Sequence, residues 1–259
     1  RAKSENRRLR VFCQSMSDTF EGPETMGGLD SENWKLVSRL RLELFRAIKD
    51  HPALDLLVLT KRPESVGPFI YYSKIDAEKE WATHGEDLRW WLNDWRLGNP
   101  PPNAWVGTSV EDQKTADERI PHLLNIPATV RFISCEPLLG PVLLPFHTNR
   151  EVHEDAAGMG IEPMFFQISG IDPDERTGNG IHWVIVGGES GPKARPMNPG
   201  WARSLRDQCQ SAWVPFFFKQ WGEYAPGEIA ADLMPRSLEG VWMDDDGEWH
   251  RRRVPASEE

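Results

Sequence analysis

A chain of 259 residues with 39% hydrophobic and 27% charged residues has room for a sizeable core, and its ordinary composition sets aside the disordered and fibrous classes. No run approaches the roughly 18 apolar residues that a membrane helix needs, and no signal-peptide pattern opens the chain, so a cytoplasmic protein without a membrane partner is expected. A net charge of -10 sets aside broad electrostatic attraction to nucleic acid, and the local clusters Arg7-Arg8-Leu9-Arg10 and Arg251-Arg252-Arg253 read as solvated chain ends.

In chain order, the first apolar run is Val11-Phe12-Cys13-Gln14-Ser15, which ends in Met16-Ser17-Asp18. Ser31 then caps a helix whose apolar positions Trp34, Val37, Leu40, Leu44 and Ile48 recur at spacings of three and four and so predict the buried face. Leu56-Leu57-Val58-Leu59 is the second strand, with Thr60-Lys61-Arg62 at its tip. A short helix follows Pro63, and then a tryptophan-rich one bearing Trp81, Leu88, Trp91, Leu92 and Trp95, stopped by Gly98-Asn99-Pro100-Pro101-Pro102. Its aromatic stripe reads as core packing.

The third strand, Trp105 to Ser109, runs into Val110-Glu111-Asp112 and a helix over Asp112 to Asn125, where Pro121 predicts a kink or a second short helix. Val130 to Ser134 is the fourth strand, tipped by Cys135-Glu136-Pro137. Residues 145–180 lack sustained periodicity and are rich in turn signals, which predicts a surface insertion. Trp183 to Val186 then ends in Gly187-Gly188-Glu189-Ser190. Asn198-Pro199 starts another helix, with Trp201, Leu205, Cys209 and Ala212 at helical spacing. Pro215-Phe216-Phe217-Phe218 is the sixth strand, ending in Lys219-Gln220-Trp221. Beyond residue 224 the alternation stops, and Val241-Trp242-Met243 with Trp249 around Asp244-Asp245-Asp246-Gly247 predicts a small hairpin appendage over 225–259.

Short apolar strands alternating with helices predict an α/β fold with a mainly parallel sheet over 9–224. A partial (βα) barrel of about six strands with its first unit missing fits this order, and so does an open doubly wound sheet. In either, polar tips gather at the carboxyl ends of the strands. The tips supply Ser17, Asp18, Lys61, Arg62, Ser109, Glu111, Glu136, Glu189, Ser190, Lys219 and Gln220. Mixed carboxylates and cations suit a polar or zwitterionic small molecule. The best-defined tip is Gly187-Gly188-Glu189-Ser190-Gly191, whose glycines are expected to let a ligand approach the backbone N–H groups, or else to form a simple turn. It is neither a dinucleotide fingerprint nor a phosphate loop. The three cysteines are far apart and show no paired metal-ligand spacing, and the histidines show none either. Cys135 reads as a small buried residue rather than a nucleophile.

Val11–Phe20, Val58–Glu64, Trp105–Leu124, Arg131–Val142, Trp183–Met197 and Val214–Tyr224 together resemble the three-cysteine-motif family. This is a phage-associated bacterial group of uncharacterised proteins, considered a divergent relation of radical S-adenosylmethionine enzymes. The resemblance implies S-adenosylmethionine bound across the strand ends, with Glu111, Glu136 and Glu189 toward its amine or ribose hydroxyls and Lys61, Arg62 and Lys219 toward its carboxylate or an anionic substrate. It also implies an iron-sulfur cluster held by an N-terminal Cys-x-x-Cys-Tyr-type element. That element is not in this sequence, whose residue 1 is Arg, so the chain is expected to be part of a longer reading frame and inactive as it stands. The alternatives are a non-catalytic phage protein that binds a nucleotide or nucleic acid through the basic clusters, and a metal-independent hydrolase or lyase working through its carboxylates.

Overall fold

Ser31 opens α1 (Glu32–Asp50) as its sequence position predicts: its hydroxyl accepts from the Trp34 amide at 3.1 Å. The structure is a computed structural model and describes residues 8–13, 17–29, 31–79, 85–146, 180–224, 241–243 and 249–251. Gln14 and Ser15 of the first run, Met16 of its tip, Trp81, the bulk of the expected insertion (147–179), the Asp244 to Gly247 turn and the arginines Arg7, Arg252 and Arg253 lie outside the described residues.

Six strands form one sheet: β1 (Leu9–Cys13), β2 (Leu54–Thr60), β3 (Ala104–Ser109), β4 (Val130–Cys135), β5 (Trp183–Gly187) and β6 (Phe216–Gln220). Their order in the sheet is their order in the chain. A doubly wound sheet reverses at a switch point, whereas sequential neighbours joined by helices are the arrangement of a (βα) barrel, so the fold is α/β of the partial-barrel kind. Registers such as Leu9↔Leu54, Leu56↔Ala104 and Val184↔Phe216 are parallel. β2 to β5 are buried along most of their length, as strands covered on both faces must be, while β1 and β6, at the two ends of the order, are half-exposed. A separate antiparallel pair, β7 (Val241–Met243) and β8 (Trp249–Arg251), is the small C-terminal β element.

The chain divides into two compact units, Arg1–Ser109 with Glu118–Phe132, and Val110–Asp117 with Ile133–Glu259. In the first, α1, α2 (Pro63–Lys79) and α3 (Gly85–Arg96) accompany β1 to β3. Leu88, Leu92 and Trp95 are buried as their spacing predicts, and Trp95 meets Phe45 edge to face at 5.8 Å while its indole N–H donates to the Pro127 carbonyl at 2.7 Å. Of the predicted face of α1, only Ile48 is fully buried. Arg41, Leu42, Phe45 and Ile48 are buried, whereas Leu40 is exposed and Trp34, Val37 and Leu44 are only half-buried. Two stripes run along this helix, and tertiary packing selects the one that carries Arg41 and Phe45.

α4 (Gln113–Leu124) begins at Asp112, whose Oδ1 accepts from the Thr115 amide at 2.9 Å. It passes through Pro121 as one helix and does not start a second one there, because a proline near its end removes only one ladder bond. In the second unit, α5 (Pro199–Ser211) starts as predicted, with Asn198 Oδ1 accepting from the Gly200 amide at 2.8 Å, and buries Ala202, Leu205 and Cys209. Trp213 follows it with φ 57°, and the Val214 amide returns to the Cys209 carbonyl at 2.9 Å, a helix-ending loop that usually takes glycine. No helix among the described residues is long and apolar enough to cross a membrane.

Candidate functional site

Strand ends place the predicted polar residues, and each unit has its own set. In the first, Asp18 is held from several directions. Its Oδ1 accepts from the Phe20 amide at 3.0 Å, its Oδ2 from the Lys61 amide at 2.8 Å, and the Thr60 hydroxyl lies 2.9 Å from both oxygens. Thr60 Oγ1 in turn accepts from the Arg62 amide at 2.9 Å, and Arg62 Nη2 donates to Glu21 Oε1 at 3.2 Å. Asp18 is thus a brace that ties the segment after β1 to the end of β2, and Ser17 beside it is exposed.

Beneath this corner lies Arg41, only 2% exposed. Its Nε donates to the Thr19 carbonyl at 2.7 Å and its Nη2 reaches the Glu21 carbonyl at 3.5 Å, while its guanidinium lies 3.8 Å from the Phe69 ring centre and 5.3 Å from that of Trp34. Burial pulls its pKa down to about 10, against the opposing pull of Asp76 and Asp18. An arginine inside an amphipathic pattern reads as a surface residue, so only its three-dimensional partners reveal this one.

In the second unit, residues from the carboxyl ends of β4, β5 and β6 join in one chain of polar contacts. Lys219 Nζ donates to Glu136 Oε2 at 2.9 Å, Gln220 Nε2 lies 3.2 Å from Glu136 Oε1, and the same Nε2 lies 3.2 Å from Ser190 Oγ. Gly187 borders this cluster, since a Cβ there would stand 3.1 Å from the Glu136 carboxyl. Four of the predicted site residues are therefore brought together with Gly187 as a fifth neighbour.

The glycines of the tip make close contacts with the chain around them. The Gly188 amide donates to the Gln220 carbonyl at 2.9 Å and the Gly187 carbonyl accepts from the Leu138 amide at 2.9 Å, so both are used within the fold. The space beside Gly188 is filled by the Trp221 carbonyl, whose carbon would lie 2.5 Å from an added Cβ. These glycines let the chain leaving β6 cross closely over β5. Glu189 points to a partner that sequence spacing did not single out. Arg195 donates through Nε to Oε2 (2.8 Å), through Nη2 to Oε1 (2.9 Å) and through its amide to Oε2 (2.7 Å), and these bonds hold the Glu189 carboxyl down to about 2.

Ser109 and Glu111 are tied to their surroundings partly through their backbone, and Arg119 Nη1 also lies 3.1 Å from Ser109 Oγ. Arg119 Nη1 donates to the Ser109 carbonyl at 2.8 Å, the Glu111 amide donates to Thr115 Oγ1 at 3.0 Å, and the Glu111 carbonyl accepts from the Leu139 amide at 2.7 Å. Cys135 and Cys209 are buried, Cys13 is half-buried, and all three are free thiols. Burial pushes the Cys209 thiol up to about 12 and that of Cys135 up too, so neither offers a ready thiolate. Among the described residues no three His, Cys, Asp or Glu side chains gather in a way that would hold a metal ion, and the three cysteines do not fit an iron-sulfur cluster. Of the arginines assigned to nucleic acid, Arg8 pairs with Asp55 at 2.6 Å and Arg10 lies 4.9 Å over the Trp105 ring.

No curated protein and no solved structure matches the chain. A family model does, over residues 1–247, and on that extent the chain belongs to the family described as "Protein of unknown function (DUF5131)".

Proposed function

We propose that the protein is a radical S-adenosylmethionine-like protein of the phage-associated kind, working in the cytoplasm, and that this chain binds the amino-acid end of S-adenosylmethionine at the carboxyl ends of β4, β5 and β6. One observation carries the reading: Glu136, Lys219, Gln220 and Ser190, drawn from three successive strand ends, form a single hydrogen-bonded cluster. A zwitterion suits it. The ligand ammonium pairs with Glu136 and the ligand carboxylate with Lys219, so opening the existing ion pair strands neither charge. Ser190 and Gln220 supply hydroxyl and amide groups for ribose hydroxyls. No step through an iron-sulfur cluster is assigned to this chain, because its cysteines do not fit one.

Calorimetric titration of the whole chain with S-adenosylmethionine tests the reading, with methionine and adenosine as separate probes. Saturable binding is expected, weakened at least about tenfold by Lys219→Ala, on the scale of one charge-assisted contact. Absence of saturable heat up to about 1 mM ligand, a range that covers weak cofactor binding, would overturn it.

A further inference from the structure

A second concavity lies away from the strand tips, beside the amino ends of β2 and β3 and entirely within the first unit. It is a half-open groove of about 320 Å³ between the end of α1, the end of α3 and the segment that leads into β3. One wall is Pro100-Pro101-Pro102, three consecutive residues with no backbone N–H, which can offer a ligand carbonyl oxygens and no donor. Trp91 brings an aromatic ring to the lining, and Asp94 a carboxylate.

Asn103, also in the lining, is only 3% exposed. Its Nδ2 is committed to the Ile48 carbonyl at 2.7 Å and the His51 carbonyl at 3.3 Å. That fixes the amide, while Oδ1 takes no hydrogen bond from the described residues and is not one of their fully buried unpartnered atoms, so it keeps some access to solvent. An amide oxygen fixed in place by its anchored Nδ2 and still able to accept is a pre-oriented acceptor. The other side-chain donors of the lining are partly engaged: Lys49 pairs with Asp87 and with Asp50, and Asn99 Nδ2 donates to Asp94 Oδ1 at 2.9 Å. The ion pairs with Asp87 and Asp50 offset the Lys49 charge, which leaves the Asp94 carboxylate as the acidic group of the lining.

We infer that this cavity binds a small organic cation rich in N–H donors, of the guanidinium or primary ammonium class, between the Trp91 ring, the Asp94 carboxylate and the Asn103 amide oxygen. An aromatic face attracts such a cation, and a carboxylate and an amide oxygen accept its N–H groups. A neutral ligand of equal size gains neither the ring's electrostatic attraction nor the charge-assisted bond. The site is independent of the strand-end cluster, so the two readings stand or fall separately.

The test uses the whole chain and agmatine as the probe, with butylurea as a neutral probe of similar hydrogen-bonding shape. Binding is read by calorimetry and by the amide and indole resonances of residues 91–103. Agmatine is expected to bind saturably and to shift the Trp91 indole resonance. Asp94→Asn, which keeps an acceptor for Asn99 and removes the charge, is expected to weaken binding about fivefold, on the scale of one partly exposed charge-assisted bond. Trp91→Leu serves as a second variant that leaves the Asp94 and Asn103 contacts in place, and it too is expected to weaken binding. Saturation absent up to about 10 mM agmatine, the weak limit for a ligand of this size, equal affinity for butylurea, or unchanged binding in both variants would overturn the inference.

Discussion

Replacing Gly188 with alanine tests whether the glycines at the end of β5 exist for backbone crossing. An added Cβ would lie 2.5 Å from the Trp221 carbonyl carbon, closer still to its oxygen, and 3.1 Å from the Gly222 amide nitrogen. Relief requires the chain after β6 to retreat by about 1 Å, since carbon atoms reach favourable contact near 3.5 to 4.0 Å. That movement breaks the Gly188 to Gln220 bond at 2.9 Å and the Glu223 to Glu189 bond at 2.8 Å. Two backbone bonds at about 1 kcal/mol each, with about 1 to 3 kcal/mol for overpacking, predict a loss of about 3 to 5 kcal/mol. Urea unfolding of the whole chain measures it, and hydrogen exchange at the Gly188 and Glu223 amides shows whether the loss is centred there. A change below about 0.5 kcal/mol, the level of an ordinary surface substitution, would refute the reasoning. The control is Gly67→Ala, at an exposed position of α2 with nothing within 4 Å of the added Cβ, which is expected to stabilise by about 0.5 to 1 kcal/mol.

Arg41→Met keeps a long side chain but removes the donors to Thr19 and Glu21, and a loss of about 2 to 4 kcal/mol in urea unfolding is expected from two stranded carbonyls and lost ring contacts; a neutral result would show that the buried charge contributes nothing net. Glu189 has a folded pKa of about 2, below its ordinary value of 4.5, so the stability it contributes is present above pH 4.5 and drains away as pH falls toward 2. In Arg195→Ala the Glu189 carboxyl resonance is expected to titrate close to its ordinary value, and an unmoved midpoint would assign the shift to another group. A disulfide-exchange reagent at pH 8 is expected to modify Cys13 first and to reach the buried Cys135 and Cys209 only on unfolding; rapid loss of all three thiols in the native protein would contradict their burial.

Much of the scaffold could be read from residue order. Alternating short apolar runs and amphipathic stretches anticipate the strands and their connecting helices, and Ser31 and Asn198-Pro199 mark helix starts within a residue. These are local properties of the chain. What escaped is tertiary. α1 carries two stripes whose choice depends on what packs opposite them. Asp18, Glu136, Lys219 and Gln220 were legible as strand-end residues, but not that Asp18 is consumed by its own backbone surroundings while the other three meet. Arg195 stands six residues after Glu189, a spacing that no periodicity marks. The backbone that stands against Gly188, at Trp221, lies some thirty residues away and leaves no local mark at the tip.

Sequential strand order also bears on how the chain assembles. Each strand finds its neighbour in the next strand to appear, so every new βα unit can dock on structure already made without threading past it. The shortest crossover joins β3 to β4 and the longest joins β4 to β5, yet closing entropy grows so slowly with length that the two differ by less than about 1 kcal/mol. Loop length therefore gives no strand pair a large head start, and a nascent chain can pair its strands in the order in which they are translated.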